Sequence, residues 1–97
     1  MIRVSVLYPN KGGKFNFDYY VTKHMSLVHK YLDPMGLVKT EVNKGVGEAP
    51  YIAVGHLVFS SLEEMQKALE AHDAKFVADL VNFTDIKPQF QVSEIIG

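Results

Sequence analysis

The stretch Tyr51-Ile52-Ala53-Val54-Gly55-His56-Leu57-Val58-Phe59 decides the fold. It is apolar at nearly every position, where a half-buried strand would alternate, so it reads as a strand covered on both faces. Upstream, Leu37 to Lys44 is a polar strand of the kind found at a sheet edge, where Lys and Glu discourage stray pairing. Gly45 to Pro50 connects the two. Further back, Ile2, Val4, Val6 and Tyr8 alternate with Arg3, Ser5 and Leu7, and the turn run Pro9-Asn10-Lys11-Gly12-Gly13 closes this first strand. On the other side, Gln89 to Ile96 sets Phe90, Val92 and Ile96 against Gln89, Gln91 and Ser93, a fourth strand.

Two helices fill the gaps. Phe17 to Leu32 projects Phe17, Tyr20, Val21, Met25, Leu27, Val28, Tyr31 and Leu32 onto one side, with Asp18, Tyr19, Thr22, Lys23, Ser26, His29 and Lys30 opposite. Asn16 is placed to cap it, Asp18 complements its positive end, and Pro34-Met35-Gly36 stops it. Ser61 and Glu64 form a capping pair ahead of Leu62, Met65, Leu69, Phe76 and Leu80 at helical spacing, with a break expected near His72-Asp73. Asn82-Phe83-Thr84-Asp85 reads as a turn. The order β-α-β-β-α-β is the ferredoxin-like α+β pattern, an antiparallel sheet with both helices on one face. No repeat or linker interrupts it, so residues 1–97 read as a single domain. One helical layer covers one sheet face only; the doubly apolar third strand therefore predicts that an identical subunit covers the other, as a homodimer.

The charge balance narrows the partners. Ten Lys and Arg against eleven Asp and Glu, with no basic stripe, leave nothing for nucleic acid or an anionic membrane to recognise. The third strand also lacks the basic-aromatic pattern of an RNA-binding sheet. With no cysteine, disulfides, thiolate nucleophiles and cysteine-ligated metals are excluded. Met1 to Tyr8 reads directly as a strand and not as a signal peptide, and no apolar run approaches about 18 residues, so a cytoplasmic protein is expected.

The candidate chemistry centres on His24, which stands in the middle of the apolar face of the first helix. A neutral imidazole there is the one common side chain that exchanges protons near pH 7. Two readings compete: a core histidine with both nitrogens satisfied, or an acid/base group in a pocket. Tyr20, one turn earlier, and Tyr31, two turns later, give a set of two phenols and an imidazole able to converge on a polar substrate; each also fits an ordinary core edge. His56 reads as a core residue on either face of its strand, His29 as a surface residue, and His72 as a residue near a helix end, where it meets free carbonyls. No histidine pair has zinc-site spacing, so no metal is expected. Gly12-Gly13-Lys14 lacks the spacing of a phosphate loop, and Glu63 and Glu64 read as first-turn dipole complements.

Asp18-Tyr19-Tyr20-Val21-Thr22-Lys23-His24-Met25-Ser26-Leu27, with the strand ending Leu7-Tyr8-Pro9 before it and Ala78-Asp79-Leu80-Val81-Asn82-Phe83-Thr84-Asp85 after it, resembles the EthD family, named for a component of bacterial ethyl tert-butyl ether degradation. The chain departs from many members in having Ser26 where they have proline. The resemblance implies a dimeric α+β barrel with a pocket between sheet and helices in each subunit. Similar architectures include muconolactone isomerases, cofactor-free monooxygenases and fungal dehydratases. It implies His24 as the acid/base, with Tyr20 and Phe83 near the pocket. Tyr8, Tyr20, Tyr31 and Phe83 are thus the candidate ligand-binding residues and His24 the candidate catalytic one. No cofactor is expected, since the chain is too small to enclose a haem alone. The ligand implied is a small apolar or aromatic metabolite. Three functional readings stand: cofactor-independent isomerase, dehydratase or oxygenase chemistry in a catabolic pathway; a non-enzymatic carrier or sensor; and a structural dimer with a filled core.

Overall fold

In a computed structural model describing residues 1–97, the apolar stretch forms β3, Tyr51–Phe59, inside a four-stranded antiparallel sheet. Its neighbours are β2, Leu37–Lys44, at one edge, and β1, Ile2–Pro9; β4, Gln89–Glu94, closes the far edge in the order β2-β3-β1-β4. Register sets Val4 opposite Leu57 and Val92, and Val6 opposite Gly55 and Phe90. These residues share the face on which both helices lie, so the ferredoxin-like order read from the sequence is the fold.

The first helix has three parts: an α-helical turn Phe17–Tyr19, a π-helical segment Tyr20–His24 and an α-helical segment Met25–Leu32. Asn16 caps it by accepting the Tyr19 N–H at 3.0 Å. The wider turn, closed by the Met25 N–H on the Tyr20 carbonyl, shifts the buried stripe. Tyr20 and His24 both point inward, whereas Val21, expected beside them, is 51% exposed. Gly36, at a φ of 95°, supplies the left-handed residue that ends the helical run.

The second helix, Leu62–Asp79, runs unbroken. The expected interruption at His72-Asp73 is absent, and His72 is mid-helix, not near an end. Its ring packs 5.0 Å from that of Tyr31, and its Nδ1 lies 3.0 Å from Lys75 Nζ. At the start, Ser61 Oγ accepts the Glu64 N–H at 3.1 Å, while the Glu64 carboxylate receives the Ser60 and Ser61 hydroxyls. A short 3-10 turn, Leu80–Asn82, follows the helix. The Phe15–Thr84 bridge and the Asn16 N–H on the Phe83 carbonyl (2.8 Å) then tie the far end of the chain to the entrance of the first helix.

On the sheet's other face, Ser5 Oγ meets His56 Nδ1 at 3.0 Å, which fixes His56 away from the helices. Burial and the Arg3 charge lower the pKa of His56. Val58 is buried there outside the main core cluster, and Arg3 Nε is buried without a hydrogen-bond partner. No helix is long and apolar enough to cross a membrane.

Candidate functional site

The π-helical segment delivers His24 to the C-terminal end of the second helix. There its Nδ1 lies 2.8 Å from Asp79 Oδ2. The other oxygen, Oδ1, accepts the Tyr19 hydroxyl at 2.7 Å and Asn82 Nδ2 at 2.8 Å. A carboxylate can only accept, so His24 carries its proton on Nδ1 and keeps a lone pair on Nε2. Nε2 has no protein partner and belongs to a ring that walls a cavity.

The electrostatics keep that lone pair available. Burial pulls the His24 pKa below its ordinary value, and the Asp79 bond only partly opposes it, so the ring is neutral at pH 7. Burial would raise Asp79, but the hydrogen bonds from Asn82, His24 and Tyr19 together outweigh it and hold the carboxyl below its usual range. The Tyr19 phenol is raised, first by its bond to Asp79, and stays a donor. The imidazole is further fixed by rings: Tyr20 stacks on it at 5.3 Å and 13°, and Phe83 packs at 4.7 Å.

The cavity has a volume of about 340 Å³ and lies between sheet and helices. Val4, Val6 and Leu57 form its sheet wall, Val28 and Phe76 its helical wall. Val77, Phe90 and Val92 also line it but are 56%, 63% and 50% exposed, which marks the open side between the second helix and β4. Gly55 is required at the sheet: a Cβ there would collide with the Tyr20 hydroxyl.

Of the sequence-derived candidates, Tyr8, Tyr20 and His24 share this cavity. Phe83 packs behind the His24 and Tyr20 rings without lining it. Tyr31 lies elsewhere, against His72 and beneath the ammonium groups of Lys30 and Lys75. His29 is on the surface, between Asp33 and Thr40. Asp79, Tyr19 and Asn82 were not singled out in the sequence as site residues. One signal pointed to Asp79: a carboxylate in the last turn of a helix opposes the macrodipole, so it calls for a compensating partner.

The EthD domain model matches residues 14–87. The crystal structure of an EthD-like protein from Ralstonia eutropha is similar at 32% identity and a TM-score of 0.90, over 99% of this chain and 92% of that one. An ethyl tert-butyl ether degradation (EthD) family protein from Bacillus halodurans is similar at 22% identity and a TM-score of 0.77, over 99% of both chains. In fold alone, the chain is similar to SnoaB, a cofactor-independent oxygenase from Streptomyces nogalater, at 8% identity and a TM-score of 0.65, over 97% of this chain and 90% of that one. No curated protein matches the chain.

Proposed function

We propose, from the premise that this chain belongs to the EthD family, that it binds a small apolar or aromatic metabolite between sheet and helices and moves a proton on it without a cofactor. One observation carries this reading: Asp79 occupies Nδ1 of His24, and the unpartnered Nε2 belongs to the wall of an apolar cavity. A satisfied core histidine would have partners at both nitrogens. The cavity is at the lower end of the roughly 300–1,000 Å³ typical of small-molecule sites. Isomerase, dehydratase and oxygenase chemistry of this kind all begin with a base removing a proton, the role assigned to His24, with Asp79 orienting the ring and balancing the imidazolium. The working unit is a homodimer. In support, the sheet face away from the helices leaves the paired apolar side chains of Leu7 and Val54 only half-buried, with no helix of the same chain to cover them.

The test is exchange of solvent deuterium into 2-tetralone, a small ring ketone with an acidic C–H, followed by NMR. Wild type should accelerate exchange over buffer, and His24→Gln should still bind the ketone while losing about 10²–10⁴-fold in rate. Binding by both proteins with no exchange by either would make the chain a carrier or sensor, and would end the catalytic reading.

A further inference from the structure

Tyr8 and Tyr20 are each only 1% exposed, and both line the cavity. Their rings meet edge to face at 5.7 Å. The two hydroxyls hydrogen-bond to each other, which uses one O–H of the pair and leaves the second free to donate to a ligand. A buried phenol ordinarily finds an acceptor. Here two share one apolar chamber, and the sheet gives up a side chain at Gly55 to admit the Tyr20 hydroxyl.

We propose that Tyr8 and Tyr20 form a paired-phenol oxyanion site, which holds the oxygen of a planar, enolisable ring ketone or phenol while His24 faces its acidic C–H. This deepens the reading of His24 as the base and rests on it. The Tyr20 ring stacks directly on the imidazole, so the donor and the base are held in one rigid unit. Burial pushes the Tyr8 phenol up to about 12 and raises that of Tyr20, so both remain O–H donors at neutral pH. Val4, Val6, Leu57 and Phe76 offer flat apolar contact to the ring body, and the cavity volume suits one or two fused rings.

The step balances without an oxidant. Nε2 of His24 takes the proton from the carbon next to the carbonyl. The C–H electron pair becomes the C=C bond of the enolate, and the carbonyl π pair moves onto oxygen, where the phenol O–H groups receive the charge. The imidazolium, facing Asp79, returns the proton to the same carbon or to its conjugated neighbour.

The test compares binding of 2-naphthol and naphthalene, which share a ring body and differ by one oxygen, in wild type, Tyr8→Phe, Tyr20→Phe and His24→Gln. Wild type should prefer 2-naphthol by about tenfold. Each Phe variant should lose most of that preference while holding naphthalene as wild type does, which also controls for folding; His24→Gln should keep the preference. In the 2-tetralone exchange, Tyr8→Phe should lose about 10²-fold in rate at saturating ketone. Equal binding of the two probes by wild type, or exchange indifferent to both Phe variants, would overturn the oxyanion site. The His24 reading would survive either result, because it stands or falls on the loss of exchange in His24→Gln. Failure of wild type to bind either probe would overturn both.

Discussion

His24 and His29 lie five positions apart on one helix and each places Nδ1 2.8 Å from an aspartate, yet they are chemically unlike. The side chains of His29 and Asp33 are 39% and 58% exposed, and the other nitrogen of His29 is occupied by Thr40 Oγ1 at 2.9 Å. Those of His24 and Asp79 are 8% and 13% exposed, and Nε2 is left free at a cavity. The histidine–aspartate pair is therefore not what marks a site. Burial, which holds the ring neutral, and a vacant second nitrogen do.

The largest expected effect of breaking that contrast comes from exchanging each aspartate for its amide. Asp79→Asn removes the charge that fixes the Nδ1–H tautomer and balances the imidazolium, so the exchange rate should fall by about 10²-fold or more. Asp33→Asn should leave the rate within about twofold, because an exposed pair of this kind contributes little. Equal losses in the two variants would erase the distinction.

Next is the scaffold under the cavity. Gly55→Ala sets a Cβ against the Tyr20 hydroxyl and should destabilise the fold by about 1–3 kcal/mol in a denaturant titration. It should also displace Tyr20 from the His24 ring.

Acid supplies a subtler comparison. Folded His24 titrates below its ordinary value of 6.5, so just under that pH the unfolded chain binds more protons and stability falls as pH is lowered. Asp79, depressed from 3.8, adds stability above that value that is lost on further acidification through its folded pKa. His24→Leu should flatten the first step, leaving the share contributed by His56. At pH 7 it should cost under about 1 kcal/mol, since Asp79 keeps Tyr19 and Asn82 as donors. A larger loss would return His24 to the core. The smallest effect belongs to Tyr31→Ala, which lies outside the cavity and should change ligand affinity less than twofold.

These contrasts also mark what was legible in the sequence. The strands followed from alternation in β1, the continuous apolar run in β3 and the charges of β2, because burial imprints on residue type. In β3 the helix-facing Ala53, Gly55, Leu57 and Phe59 are buried, while Val54 and His56 on the other face are half-buried. Asn16 and Ser61 announced their caps for a similarly local reason. His24 and Tyr20 stood out as polar groups on an apolar helix face, while Tyr8 entered only through the family resemblance. Asp79 did not, since its partner lies 55 residues away and only the closed fold brings them together. The π-helical turn was equally hidden: one wider turn changes no residue type, yet it turns Val21 outward while Tyr20 and His24 face the core. Tyr31, placed by a regular 3.6-residue projection, was carried to the wrong neighbourhood for that cavity.

The most direct measurement is a pH titration of the ring nitrogens of His24 and His29 by ¹⁵N NMR. His24 should be the Nδ1–H tautomer with an unprotonated Nε2 at pH 7, titrating below 6.5, and a bound ring ketone should shift Nε2 while leaving His29 unmoved. A proton on Nε2 of His24 at neutral pH, or titration above 6.5, would rule out His24 as the neutral base of the cavity.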